Sequence, residues 1–396
     1  MKNISNISFK GKRVLLRVDF NVPLDSRFNI TDDSRIKAAL PTIKKIIMGG
    51  GKAIIMSHLG RPKNGFEEKF SLKHTTKHLS SLLNTRVDFS ADCIGEKTSS
   101  DVSKMKNGDV LVLENLRFYS QEKLGDNKFA KRLAENGDAY VNDAFGAAHR
   151  EHASTSVIAN YFPNDKYFGL LFIKEINNLE TALKKPKRPF TAIIGGAKIT
   201  GKIDAITSLI NKVDNLIIGG GMAYTFAKAM GGSIGDSLVE NSKLDLAKSL
   251  INYAQIKGVN LLLPSDSLNS NEFNNNAVLQ HSEITNIPEG FMGLDIGEES
   301  IAQFSKIILN SQTIVWNGPM GVFEMSNFIN GTKKIGEAIC RATKNGAFSL
   351  VGGGDSVAAA KQFGFAKKLS YISTGGGAML EYIEGKKLPA LTAIQN

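Results

Sequence analysis

Cysteine is almost missing from this chain. Cys93 and Cys340 are the only two in 396 residues, far apart and outside any CxxC or Cys/His cluster. A disulfide framework and a zinc site are both poorly supported, and a reducing compartment fits best. No run of about 18 apolar residues exists that could span a bilayer, and the opening MKNISNISFKGKRV has no apolar stretch of signal-peptide length. The expectation is a cytoplasmic protein with no membrane partner. Low-complexity segments and obvious internal repeats are also absent. With 42% hydrophobic and 22% charged residues, the composition makes no case for disorder or a fibrous chain. A single ordinary core does not take up 396 residues, so about two domains are expected.

Positive charge is plentiful. Lys and Arg number 49 against 38 Asp and Glu, a net charge of +11, which favours anionic partners without saying whether they are polymers or metabolites. Nine of the eleven arginines (Arg13, Arg17, Arg27, Arg35, Arg61, Arg86, Arg117, Arg132 and Arg150) and five of the six histidines fall within the first 152 residues. A guanidinium is a planar fork suited to carboxylate and phosphate, so this half points to recognition of a small anion, with solvated surface as the competing explanation for any one arginine.

Short apolar runs alternate with helix-period stretches. RVLLRV (13–18), AIIMS (53–57), VLVLEN (110–115) and AYVND (139–143) read as strands, with amphipathic segments such as SRIKAALPTIKKII between them. After about residue 185 the pattern restarts with TAIIGG, NLIIGG, NLLLP, TIVWNG and FSLVGG. Continuous apolar strands bounded by glycine are those of buried parallel sheets. The expected fold class is α/β, with two doubly wound, Rossmann-like parallel-sheet domains of three α/β/α layers. A connecting helix could join them across a cleft, with a plain surface helix as the alternative reading of the joining stretch. The break is placed near KKPKRP (184–189), after a stretch with Ile173, Ile176, Leu179 and Leu183 at helical spacing.

Ligands of parallel α/β domains sit at strand C-terminal ends. In the second half GGAK (195–198), GGGM (219–222), GGGDS (352–356) and GGGA (375–378) occupy such places, each before a helical pattern. Four glycine clusters at equivalent positions favour a nucleotide phosphate against backbone N–H groups. GAKITGK (196–202) imitates a Walker A loop, but Ile203 stands where a hydroxyl should hold Mg²⁺. A G-x-G-x-x-G fingerprint fails as well, because the triplets put Tyr224, Val357 and Leu380 at its last position. What survives is Lys198 and Lys202, on one face if helical, able to neutralise phosphate. Asp355 is a candidate Mg²⁺ carboxylate, with an N-cap role as the alternative. In the first half the strand ends carry Asp19 and Asn21, His58 and Arg61, Arg117, and the group His149, Arg150 and His152. Such an Arg/His set suits a small, doubly anionic substrate, although Asp19 could equally hold an arginine in place.

At RVDFNVP (17–23), SHLGRP (57–62), ENLRF (114–118), DAFGAAHREHAS (143–154), GGAKITGKI (195–203), WNGPMGVFE (316–324) and GGGDS (352–356), the chain closely resembles the phosphoglycerate kinase family, and the likeness runs on to LPALTAI. The resemblance implies a glycolytic enzyme that moves a phosphoryl group reversibly between ATP and the carboxylate of 3-phosphoglycerate, with Mg²⁺. It implies a 3-phosphoglycerate domain over 1–172, a hinge helix over 173–185 and a nucleotide domain over 186–380. A segment over 381–396 would return to the first domain.

Carried over motif by motif, Asp19, Phe20, Asn21, Arg35, His58, Leu59, Gly60, Arg61, Arg117 and Arg150 belong to the substrate site. Lys202, Gly219, Gly220, Gly221, Asn317, Glu324, Gly353, Gly354, Asp355 and Ser356 belong to the nucleotide site, Asp355 holding the metal. Arg35 and Lys198 match residues that stabilise the transferring group, joined by N–H donors around Gly376. Phosphoryl transfer needs in-line positioning and cations rather than a protein nucleophile, and closure would precede chemistry. The family expectation is a monomer acting on small molecules, without nucleic acid. Two departures are Glu151, beside a substrate arginine, and Ala390, where glycine is common. A basic nucleic-acid-binding protein and a P-loop-like NTPase are the competing readings. The first lacks a recognised module and the second its metal-binding hydroxyl.

Overall fold

The computed structural model describes residues 2–63 and 65–396. Six strands, β1 (Arg13–Arg17), β2 (Lys52–Met56), β3 (Val87–Ser90), β4 (Val110–Leu113), β5 (Ala139–Asn142) and β6 (Lys166–Phe168), form an all-parallel sheet in the order β3-β4-β2-β1-β5-β6. β4 and β5 are buried at every residue, as strands covered on both faces must be. The helix Ser34–Met48 turns Ile36, Ala39, Ile43 and Ile46 inward, onto a core that includes Val14, Leu16, Ile55 and Val112. Pro41 sits inside that helix on its exposed side, where its missing N–H leaves one backbone carbonyl without its helical donor.

The second half adds β7 (Phe190–Ile194), β8 (Asn215–Ile218), β9 (Ser233–Ile234), β10 (Asn260–Leu262), β11 (Asp266–Ser270), β12 (Leu279–Glu283), β13 (Asn286–Ile287), β14 (Met292–Ile296), β15 (Thr313–Asn317), β16 (Phe348–Val351) and β17 (Tyr371–Ile372). Its main sheet is parallel and runs β10-β8-β7-β15-β16-β17. Counted within that sheet, this is the order 3-2-1-4-5-6 of the doubly wound dinucleotide fold, so the switch point lies between β7 and β15. Trp316, the single tryptophan, is fully buried with Ile193, Ile217, Phe304 and Ile339, and its indole N–H donates to the Gly318 carbonyl at 2.8 Å. An antiparallel sheet, β12-β11-β14, has no counterpart in the sequence reading. Its strands DSLNS and LQHSE are too polar to stand out as apolar runs.

The chain separates into two compact units, Met1–Asn177 with Lys387–Asn396, and Asn178–Lys386. One helix, Leu170–Leu183, contains the boundary. It starts ahead of the 173–185 segment because the Asp143 carboxylate, brought from the end of β5, accepts the Phe172 N–H at 3.0 Å and so satisfies a first-turn donor. Residues 381–386 pack with the second unit, where the Ile383 carbonyl accepts from Ser208 Oγ (2.7 Å) and Lys212 Nζ (2.9 Å). The final helix, Pro389–Gln395, joins the first unit: Ala390 N–H donates to the Ala148 carbonyl at 3.1 Å, and Lys166 Nζ donates to that of Ala393 at 2.9 Å. Among the described residues, no helix is long and apolar enough to cross a membrane.

Candidate active site

In the first unit, the loops after β1, β2, β4 and β5 converge at one end of the sheet, on both sides of the point where the order reverses between β1 and β5. Arg35 reaches from the first turn of its helix to Asp19 Oδ1 (3.2 Å) and the Asn21 carbonyl (2.9 Å). Asp19 therefore does hold an arginine, and it accepts the Asn21 N–H at 3.1 Å as well. Asn21 Oδ1 takes the Gly60 N–H at 2.8 Å, while the Phe20 N–H donates to Ser57 Oγ at 2.8 Å. Arg117 donates through Nη1 to the Gly60 carbonyl at 2.9 Å. The buried Asn115 amide closes the frame on the Leu59 carbonyl at 2.7 Å. Phe20 and Leu59 are buried side chains under this frame, so only their backbones face the loops. Arg61 and Arg150 are exposed.

Electrostatics in this unit follow from crowding cations in low dielectric. Burial, with Arg17 and Arg150 nearby, lowers Arg117 to about 10. Burial beside Arg17, Arg117 and Arg35 holds His58 well below the ordinary imidazole value. The same two causes push His152 down to about 3, and burial with Arg150 lowers His149. The histidines here are neutral, and the arginines carry the charge. Arg17, with 1% of its surface exposed, lies beneath them with Ser154 and with Glu122, which has none exposed. The sequence reading assigned no role to Arg17, Ser57, Glu122 or Ser154. An arginine closing the apolar run VLL of β1 was the available signal for the first.

In the second unit, the ends of β7, β8, β15 and β16 meet around a cavity of about 490 Å³ whose lining includes Gly220, Gly221, Leu238, Met320, Glu324 and Asp355. Backbone approaches backbone closely here. Gly220 has φ +67°, and a Cβ on it would lie 2.5 Å from the Gly196 nitrogen, so only glycine fits. Gly353, at φ +97°, would bring a Cβ within 2.6 Å of Asn317 Nδ2, which itself donates to the Gly352 carbonyl at 2.8 Å. Gly219 leaves room for the Met320 sulfur. Ser356 Oγ accepts the Gly318 N–H, tying the helix Gly354–Gln362 to the loop after β15. Asp355 is exposed on the first turn of that helix. Gly353 is its N-cap, so the alternative role for Asp355 as a cap does not apply. Gly376, at φ +50°, is the N-cap of Gly377–Ile383 and is not part of the cavity wall.

Lys198 and Lys202 do not share a helical face, because the helix they precede starts only at Ile203. Lys202 turns inward and donates to the Gly195 carbonyl, and burial pulls it to about 8 against the opposing effect of Asp355. Lys198 is exposed. Its loop is held by Glu240, which accepts from the Ile199 N–H (2.6 Å), the Thr200 N–H (3.2 Å) and Thr200 Oγ1. Sequence reading also missed Phe273 and Tyr224 in the cavity wall. Phe273 sits in the polar loop NEFNNN, where nothing periodic marks it.

Two anion-competent sites, one made of side chains and one of backbone, thus lie at the strand ends of two parallel sheets. The family model for phosphoglycerate kinase matches residues 4–386. A phosphoglycerate kinase from Porphyromonas gingivalis is 54% identical over an alignment of 416 residues covering 99% of each chain. One from Chlorobium phaeobacteroides is 50% identical, covering 100% of this chain and 99% of its own. Among solved structures, phosphoglycerate kinase from Coxiella burnetii superposes with a TM-score of 0.89 at 40% identity, covering 99% of this chain and 98% of its own. That from Pyrococcus horikoshii gives 0.83 at 32%, covering 100% and 98%. With the family model spanning nearly the whole sequence and relatives at half identity or more, this chain belongs to the phosphoglycerate kinase family.

Proposed function

We propose that the first unit binds 3-phosphoglycerate, the second binds the nucleotide, and the chain transfers a phosphoryl group reversibly between ATP and the substrate carboxylate. The observation that carries the acceptor assignment is the frame Asp19–Arg35–Asn21–Gly60–Arg117, which fixes cationic and neutral donors around one strand-end site. A phosphate and a carboxylate on one small molecule need several fixed donors of this kind. Arg61, Arg150 and His58 complete the proposed acceptor site. Gly219 to Gly221, with Glu324, would take the nucleoside. Lys202, Gly353, Gly354, Asp355 and Ser356 would take its phosphates.

Among the described residues no group of three or more His, Cys, Asp or Glu side chains could form an all-protein metal cage. One exposed carboxylate lining the cavity near Lys202 does suit Mg²⁺, which commonly takes one or two carboxylates and completes its shell with phosphate oxygens and water. Asp355 would hold it, and the ion would neutralise charge on the transferring oxygens. Arg35 and Lys198 supply the protein's own cations for that charge, with backbone N–H groups near Gly376, and no residue need act as a nucleophile. Residues 173–185 are the proposed hinge. Two small anions account for both sites, and the proposal extends to a monomer in the cytoplasm that acts without nucleic acid.

The test mixes protein, MgATP and 3-phosphoglycerate with hydroxylamine, which traps an acyl phosphate. ADP and hydroxamate should form only with all three present. Folded protein that yields neither would overturn the assignment, and ATP hydrolysis without 3-phosphoglycerate would favour an NTPase.

A further inference from the structure

A guanidinium is seldom buried without a carboxylate against it, yet the direct partners of Arg17 are all neutral. Its Nε–H donates to Ser154 Oγ at 2.8 Å, its Nη1 donates to the Val18 carbonyl, and its Nη2 lies 3.1 Å from His58 Nδ1. The balancing charge stands one residue further on. Ser154 Oγ donates to Glu122 Oε1 at 2.6 Å, and the Ser154 N–H donates to Oε2 at 3.0 Å. The Ser154 carbonyl accepts from Tyr140 Oη at 2.8 Å. Every polar atom of Ser154 is thereby held.

Proton positions in this chain follow from chemistry. Arginine has donors and no acceptor, so Ser154 Oγ must accept from Nε–H and spend its single proton on Glu122. By the same reasoning His58 Nδ1 must be a bare acceptor, which leaves Nε2 as the protonated nitrogen. A proton on Nδ1 would meet the Arg17 N–H head-on. The strongest charges acting on His58 are Arg17, Arg117, Arg35 and His152, none of which favours an imidazolium, and the nearby carboxylates are engaged elsewhere, Asp19 with Arg35 and Glu122 with Ser154.

We propose that Glu122 and Ser154 form a positioning relay which, through Arg17, locks His58 as a neutral imidazole with its Nε2–H available to donate to an anionic oxygen of the acceptor substrate. Neither Glu122 nor Ser154 touches that substrate. The relay gives the acceptor site a hydrogen-bond donor that neither gains nor loses a proton near neutral pH. The substrate half of this inference rests on the 3-phosphoglycerate reading, and the tautomer half does not.

The experiment is long-range ¹⁵N–¹H NMR on histidine-labelled, ligand-free protein, paired with steady-state kinetics. Wild type should show His58 with bare Nδ1 and protonated Nε2, without titration from about pH 6 to about pH 8. Ser154→Ala should mix the tautomers and raise KM for 3-phosphoglycerate by about tenfold, leaving KM for MgATP within about twofold. Ser154→Thr, which keeps the hydroxyl, should restore the single tautomer. If Ser154→Ala does not fold, Glu122→Gln takes its place with the same expectations. A wild-type His58 protonated on Nδ1 or titrating in that range overturns the lock, as does a variant with unaltered tautomer. Equal rises in both KM values would overturn the positioning role. Wild-type protein with the single tautomer but no 3-phosphoglycerate-dependent ADP formation would support the lock and overturn only the kinase reading.

Discussion

On the proposed assignment, the two units bind anions in opposite ways. The first uses side chains: arginines framed by Asp19, Asn21 and Gly60, with a fully buried carboxylate, Glu122, balancing the charge from behind. The second uses the absence of side chains, with glycines letting strand ends approach within the space of a missing Cβ and one lysine drawn inward. Directional donors on side chains suit a small substrate that must be oriented at both ends. A backbone cradle around an apolar cavity suits a larger ligand with a flat base and a chain of phosphates.

The largest expected effect tests the side-chain strategy. Arg35→Ala should lower kcat by about 10²- to 10³-fold, the usual cost of one transition-state donor, with thermal unfolding little changed because the arginine is partly exposed. Full activity would remove Arg35 from the transfer step. The matching change on the backbone side is Gly220→Ala, which forces a Cβ to 2.5 Å from the Gly196 nitrogen at φ +67°. It should destabilise the second unit by about 1–3 kcal/mol and raise KM for MgATP while sparing KM for 3-phosphoglycerate. A rise in the latter alone would contradict the division of labour.

A smaller effect separates the units by pH. Lys202, drawn to about 8, is charged below that value, so kcat/KM for MgATP should fall as pH rises through about 8, and Lys202→Arg should abolish that step. The neutral histidines of the first unit predict no matching step for 3-phosphoglycerate near neutrality. The smallest effect concerns stability. Burial raises Asp143 to about 6 in the first unit and Asp295 to about 7 in the second. A raised carboxyl keeps its proton in the folded chain after the unfolded chain has lost it. Its contribution is therefore complete below about pH 4 and is lost as pH rises through about 6 for Asp143 and about 7 for Asp295, at no more than about 1.4 kcal/mol per pH unit. Asp295→Asn should flatten the decline of Tm up to about pH 7, and Asp143→Asn only its more acidic part. An unchanged slope in both would contradict the buried, protonated state.

Much of this was legible. The apolar strands of both main sheets, the glycine clusters and the strand-end arginines stand out because a parallel strand covered on both faces is mostly apolar and a close backbone approach admits no Cβ. Ala390 is fully buried in the final helix, and Glu151 is exposed with no cost to the frame around Arg117. The antiparallel sheet escaped notice because two of its three strands, DSLNS and LQHSE, are polar. Phe273 escaped because it stands alone in a loop, and Glu122 because a glutamate in an exposed-looking helix, SQEKL, gives no hint of complete burial.

The sequence by itself determined the alternation of strand and helix, the two-part organisation and the chemical types at the strand ends, since these depend on local pattern and residue chemistry. Only the tertiary structure decided which groups meet. Arg17 and Ser154 are 137 residues apart, and Ser154 and Glu122 are 32 apart. Their hydrogen bonds, the proton on His58 and the inward turn of Lys202 follow from packing that brings distant loops together in low dielectric, where each polar group must find its partner.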